Sequence, residues 1–241
     1  MNLKVVLFDL DGTLLPMDQE KFTKGYFKLL AAKLAPYGYA PEKLVDEVWK
    51  GTAAMVRNSG GRSNEAAFWE CFRQGYGEEK LADRPLFDEF YAEDFQKARD
   101  CCGFNPKAAE AVSKIGDKGY RLVLATNPIF PAIATESRIR WAGLEPKDFE
   151  FYTTYENSGY CKPNPDYYRE ILNRLQVSPG ECLMVGNDVT EDMVAETLGM
   201  KVFLLTDCLI NKEEKDISVY PNGSFEQLLT FVEQLSGGAQ S

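Results

Sequence analysis

Two carboxylates stand two residues apart in Phe8-Asp9-Leu10-Asp11-Gly12-Thr13, at the end of the apolar run Leu3-Lys4-Val5-Val6-Leu7-Phe8. The run has the β-branched and leucine-rich character of a buried parallel strand. A strand core has no use for two acids, because desolvating them is costly unless a cation or a partner compensates. If the strand persists that far, its period of two points Asp9 and Asp11 the same way. Gly12 then permits a sharp turn. The expected result is a concentrated negative patch where the strand leaves the sheet. Such a patch suits a hard divalent cation such as magnesium, which prefers oxygen ligands. Taken alone, Asp-Gly is also a common turn pair, so the stretch needs support from elsewhere in the chain.

The elements that must position this patch come in two blocks. From about Glu20 to Arg99 the pattern is helical. Lys43 to Arg57 puts Leu44, Val45, Val48, Thr52, Met55 and Val56 on one stripe, with Pro41 and Glu42 suited to its first turn. Asn58-Ser59-Gly60-Gly61-Arg62-Ser63 breaks it, and Asn64 is a candidate cap for the next helix. Trp49 and Trp69 read as core of this four-helix unit. From Pro106 onward, helices near 107–118, 132–141, 166–175, 191–198 and 225–235 alternate with apolar runs at 121–125, 149–152, 182–185 and 201–205. Alternation of this kind predicts an α/β fold, a doubly wound parallel sheet with helices on both faces. The expected division is an α/β core from residues 1–15 and 101–241 and an all-helical unit, 16–100, inserted into it. The small, polar tail 236–241 is expected to be disordered.

Ligands of such sheets bind beyond the carboxyl ends of the strands. The polar residues expected at those ends are Asp9 and Asp11 after the first, Thr126 and Asn127 after the second, and Gly186-Asn187-Asp188 with Asp192 after the fourth. Lys162-Pro163 lies between the third strand and its helix, and Pro163 favours an extended Lys162. Thr126, Lys162 and the Asp188–Asp192 pair each have an ordinary reading as turn, solvated lysine or helix-dipole partner. Their joint occurrence with Asp9 and Asp11 favours one convergent site.

Composition narrows the chemistry. The 241 residues contain no histidine, so acid–base work falls to carboxylates, Lys, Tyr or Cys. Six cysteines without a Cys-x-x-Cys pair disfavour structural zinc and suggest buried, reduced thiols, with Cys161 set apart by its position beside Lys162. A net charge of −10 disfavours a nucleic-acid partner. No apolar run approaches the ~20 residues of a membrane span, and no signal segment precedes the first strand, so a cytoplasmic location and no membrane partner are expected.

In the order and spacing of these motifs the chain resembles the haloacid dehalogenase-like hydrolase superfamily. Asp9-Leu10-Asp11-Gly12-Thr13 is similar to its first motif, Thr126 to the second, Lys162 to the third and Gly186-Asn187-Asp188…Asp192 to the fourth. The helical insert falls between the first and second motifs, as in members with a helical cap. The resemblance implies a magnesium-dependent phosphohydrolase acting on a small phosphorylated metabolite. Asp9 would be the nucleophile and Asp11 the general acid and base, with the Asp11 backbone carbonyl on the metal. Lys162 would pair with Asp9 and the phosphoryl oxygens, and Thr126, beside Asn127, would donate hydrogen bonds to them. Asp11 favours phosphate esters over halides, because a departing halide needs no proton. The family commonly has Asp where this chain has Asn187. Either Asn187 supplies a neutral oxygen to the metal or Asp188 takes its place, with Asp192 holding a metal-bound water. A phosphomutase and a noncatalytic phosphometabolite-binding protein are the rival readings. The insert is expected to govern substrate choice, with the loop Asn58–Asn64 approaching the site and Arg62 contacting the leaving group.

Overall fold

The computed structural model describes residues 3–237. Six parallel strands form one sheet in the order β3-β2-β1-β4-β5-β6: β1 Val5–Phe8, β2 Arg121–Leu124, β3 Phe151–Tyr152, β4 Cys182–Gly186, β5 Lys201–Leu205 and β6 Asn222–Gly223. β1 pairs with β2 on one side and β4 on the other, so the chain reverses its winding there. This is the doubly wound order, with its crevice at the carboxyl end of the central strand. The two-residue β6 carries no apolar pattern, which is why the sequence does not announce it.

Both faces of the sheet are covered, and the strands alternate between two cores. Val5, Leu7, Val123, Met184 and Val202 pack on one face against α7 (Pro165–Leu175) and the segment Met193–Leu198. Val6, Phe8, Leu124, Val185 and Phe203 face the other way, against α5 (Pro106–Asp117), α6 (Ala132–Trp141) and α8 (Phe225–Gly237). Burial on both sides makes the strands continuous apolar runs rather than alternating ones. The expected helix at 191–198 is instead a 3-10 segment, Met193–Leu198, preceded by one α-like contact from the Asp192 N–H to the Asp188 carbonyl. Of the tail expected to be disordered, residues 236–237 close α8 and 238–241 lie outside the described residues.

Between β1 and β2 the chain is helical: α1 Gln19–Leu34, α2 Pro41–Val56, α3 Asn64–Tyr76 and α4 Arg84–Ala92, with 3-10 segments including Asp94–Cys101. Phe22, Tyr26, Phe68, Trp69, Phe72, Phe87, Phe90 and Phe95 build an aromatic interior continuous with the second sheet face. Trp69 belongs to that core, but Trp49 is 50 % exposed, contrary to expectation. Asn64 is not the cap of α3. Ser63 accepts from the Ala66 N–H, while the Asn64 amide is buried and donates to the carbonyls of Pro128 and Tyr160. The insert is thereby stitched to loops of the α/β unit. Among the described residues no helix is long and apolar enough to cross a membrane.

Candidate active site

β1 stops at Phe8, and its ladder ends with the Asp9 N–H donating to the Val185 carbonyl and the Ala125 N–H to the Phe8 carbonyl. The chain then folds into a tight loop in which the N–H groups of Gly12 and Leu15 bond the carbonyls of Leu15 and Leu10. The strand therefore does not persist to Asp11, and the two carboxylates have different surroundings. Gly12 has φ +89°, and a Cβ there would stand 2.3 Å from Asn187 Nδ2, so both conformation and space demand glycine.

Asp9 is 7 % exposed. Its Oδ1 accepts from Lys162 Nζ at 2.9 Å and its Oδ2 from the Thr13 hydroxyl at 3.0 Å. Lys162 follows the third strand, precedes a cis proline bond and is fully buried. It also donates to Asp192 Oδ1 at 2.6 Å. Burial works against the lysine charge, but Asp192 and Asp9 prevail and hold its pKa well above the ordinary value. Burial pushes the Asp192 carboxyl up, opposed by Lys162. The second oxygen of Asp192 accepts from the N–H groups of Asn187 and Asp188 at 3.0 Å each. Both oxygens of Asp192, the residue expected to hold a metal-bound water, thus accept hydrogen bonds from Lys162 and from the backbone.

Asn187 is buried, and both ends of its amide are used. Its Nδ2 donates to the Cys208 carbonyl at 2.6 Å, and its Oδ1 lies 2.9 Å from the Thr13 hydroxyl. A carboxylate in that place would set an oxygen against the Cys208 carbonyl, which is a physical reason for asparagine. Thr13 has one proton for two acceptors, Asp9 Oδ2 and Asn187 Oδ1, so this oxygen cluster is short of positive charge. Asp188 Oδ1 accepts from the N–H groups of Thr190 and Glu191 at 2.7 and 2.9 Å, which fixes the turn.

Thr126 and Asn127 follow β2. The Thr126 carbonyl is held by the hydroxyls of Thr153 and Tyr167 at 2.6 and 2.9 Å. Asn127 Nδ2 donates to Glu191 at 3.1 Å, while its Oδ1 is buried without a partner among the described residues. Glu191 is a site residue the motif reading passed over; burial pushes its carboxyl up to about 7. A second omission is Arg138 on α6, fully buried and ion-paired to Asp11 Oδ2. Burial nonetheless raises the Asp11 pKa, with the arginine pulling the other way. A charged residue within the helical pattern of 132–141 looks solvent-facing in the sequence, so only its partner reveals it.

Asp9, Asp11, Thr126, Asn127, Asn187, Asp188, Glu191 and Asp192 border one cleft of about 850 Å³, a size suited to a small ligand. Arg62 does not. It lies in a separate surface depression with Arg57 and Ser59, because the loop bonds sideways, Gly60 N–H to the Gly159 carbonyl and Asn64 N–H to that of Ser158. Cys161 is buried, and burial pushes its thiol up to about 12, away from the thiolate form.

Among the described residues no three His, Cys, Asp or Glu side chains converge closely enough to hold a metal by themselves. Magnesium does not require this, because it is commonly held by one or two carboxylates, waters and substrate phosphate oxygens. The all-oxygen donor set of Asp9, Asn187 and Asp188, with one proton shared between two acceptors, fits such an ion.

The family model of the haloacid dehalogenase-like hydrolases matches residues 3–195. A phosphoglycolate phosphatase of Vibrio parahaemolyticus is 26 % identical over 206 residues, 85 % of this chain and 84 % of the relative. A glyceraldehyde 3-phosphate phosphatase of Methanothermobacter thermautotrophicus is 25 % identical over 97 % of this chain and 98 % of its own. The fold is shared with a phosphatase structure from Thermococcus onnurineus, with TM-score 0.59, 18 % identity and coverage of 95 % and 98 % of the two chains.

Proposed function

The chain belongs to the haloacid dehalogenase-like hydrolase family, and from that premise we propose a magnesium-dependent phosphatase that cleaves a small phosphomonoester through an aspartyl-phosphate on Asp9. The relatives named as phosphoglycolate and glyceraldehyde 3-phosphate phosphatases support a small phosphorylated metabolite as substrate. The observation that carries the reading is the state of Asp9. It borders the cleft, is held at both oxygens, and is kept beside a buried, charged lysine.

Asp9 attacks phosphorus, forming the new P–O bond as the bond to the leaving oxygen breaks. Lys162 and Thr13 hold the carboxylate in one orientation, so little ordering remains to be done at the moment of attack. Asp11 donates a proton to the leaving oxygen, then takes one from the water that hydrolyses the acyl-phosphate. Its burial-raised pKa favours carrying that proton. Thr126 and Asn127 border the cleft where phosphoryl oxygens need donors. Magnesium would be held by Asp9, Asp188, the Asn187 amide oxygen and the Asp11 backbone carbonyl. Bound there, it would neutralise charge between a carboxylate and a phosphate that otherwise repel. The helical insert, 16–100, would act as the cap over this cleft.

The test is phosphate release from a phosphomonoester panel, with magnesium and with chelator. Asp9→Asn should lose at least about 10³-fold in kcat while keeping the fold. Substantial turnover by that variant would rule out Asp9 as nucleophile. Isomerised sugar phosphate without free phosphate would favour a mutase instead.

A further inference from the structure

We infer that Arg138 is the positioning residue for Asp11, fixing the carboxylate at the edge of the cleft by holding one of its oxygens; this rests on the reading of Asp11 as proton donor. Arg138 has no exposed surface, and a guanidinium cannot shed its charge on burial. A buried cation left unpaired is strongly unfavourable, so its partner matters. Among the described residues Asp11 is the only carboxylate within ion-pair reach of it.

The guanidinium is fixed on several sides. Its Nε donates to the Ala134 carbonyl at 3.3 Å and its Nη2 to the Thr135 hydroxyl at 3.3 Å. Its carbon lies 4.4 Å from the centre of the Phe130 ring. Nη1 is then directed at Asp11 Oδ2. An arginine anchored to its own helix and stacked on a ring is a rigid donor, which a flexible lysine is not.

The second observation lies on Asp11 itself. Its Oδ1 is buried and has no hydrogen-bond partner among the described residues, although the residue borders the cleft. Arg138 thus fixes the Asp11 side chain from α6 through Oδ2 alone and leaves Oδ1 uncommitted to any protein donor among the described residues. The pairing spans 127 positions in sequence and joins α6 to the loop after β1.

The experiment compares Arg138→Met, Arg138→Lys, Asp11→Asn and the Arg138→Met/Asp11→Asn pair, with p-nitrophenyl phosphate and simple alkyl phosphates as probes. Removing the positioning residue should lower kcat for the alkyl phosphates by about 10²-fold, the lower end of what general acid catalysis supplies. The activated aryl ester, whose leaving group needs no proton, should be far less affected, and KM should change little for either. Arg138→Lys keeps a cation but not the fork, and should show the same bias at smaller size. The paired variant, which leaves neither charge buried alone, should behave as Asp11→Asn. Equal losses on both substrate types in Arg138→Lys and Arg138→Met, or a paired variant worse than Asp11→Asn, would overturn the inference. Equal losses in Asp11→Asn itself would instead overturn the reading of Asp11 as donor, and with it this inference.

Discussion

The cleft and the helical insert are held together by opposite means. In the cleft, polar groups are matched through a few directed contacts: Lys162 with Asp9 and Asp192, Arg138 with Asp11, Asn187 with Cys208. In the insert, rings share many partners at once. Phe72 alone lies 4.8 to 5.9 Å from Tyr76, Phe68, Trp69 and Phe87, measured between ring centres. The cleft is open and about 850 Å³, whereas the aromatic cavity between the insert and Ile129, Phe130 and Tyr155 of the α/β unit holds only about 80 Å³. Directional pairing defines a geometry and fails abruptly, because a lost partner strands a charge. Dispersive packing spreads its energy over many contacts and yields by degrees. Substitutions in the two regions should therefore separate activity from stability.

The largest expected effect is Lys162→Met, which leaves two buried carboxylates without their cation. It should cost about 3–5 kcal/mol of stability and abolish turnover. Adding Asp192→Asn should recover stability but not activity; recovery of both would mean that Lys162 serves only the fold. Phe72→Ala probes the other region. Truncating this fully buried ring should cost about 3–5 kcal/mol in denaturant melts, with kcat per folded molecule unchanged. A large fall in kcat there would show that the insert's packing shapes the cleft.

Glu191→Gln tests whether burial in the cleft is felt as pH-dependent strain. Burial pushes the Glu191 carboxyl from its ordinary 4.5 up to about 7. The folded protein therefore keeps this proton to higher pH than the unfolded chain does. Its contribution makes stability fall as pH rises from 4.5 towards 7 and leaves it level above. In chelator, the variant should lack this slope and be about 1–2 kcal/mol more stable at pH 8, allowing for solvent screening, with no difference near pH 4. Parallel melting curves across that range would contradict it. The smallest effect is reserved for Arg62→Ala. With Arg62 outside the cleft, stability should stay within about 0.5 kcal/mol and the ranking of substrates should be preserved. A changed ranking would bring the Asn58–Asn64 loop over the site during turnover.

Much of this molecule is local information. Val5–Phe8, Arg121–Leu124, Cys182–Gly186 and Lys201–Leu205 are apolar runs long enough for strands, and helices of strong periodicity lie between them. The alternation, with Asp9 at the end of the first run and Lys162 before a proline, was enough to indicate an α/β fold and one acidic site. Such features are legible because they depend on neighbours in the chain. The 3-10 character of Met193–Leu198 and the side-chain role of Asn64 were not, since both follow from what packs against them. Arg138 and Glu191 went unread because a buried charge looks like a surface charge until its partner is known.

By itself, then, the sequence determined the strand and helix alternation, the helical insert and the carboxylate pair, because periodicity and turn chemistry act over a few residues. Only the tertiary structure decided that Asp11 turns to Arg138, that Asp192 braces Lys162, that Asn187 fits between Thr13 and the Cys208 carbonyl, and that Arg62 stays outside. Those pairings cross 21 to 174 positions, as desolvated polar groups must find partners wherever the fold brings them together.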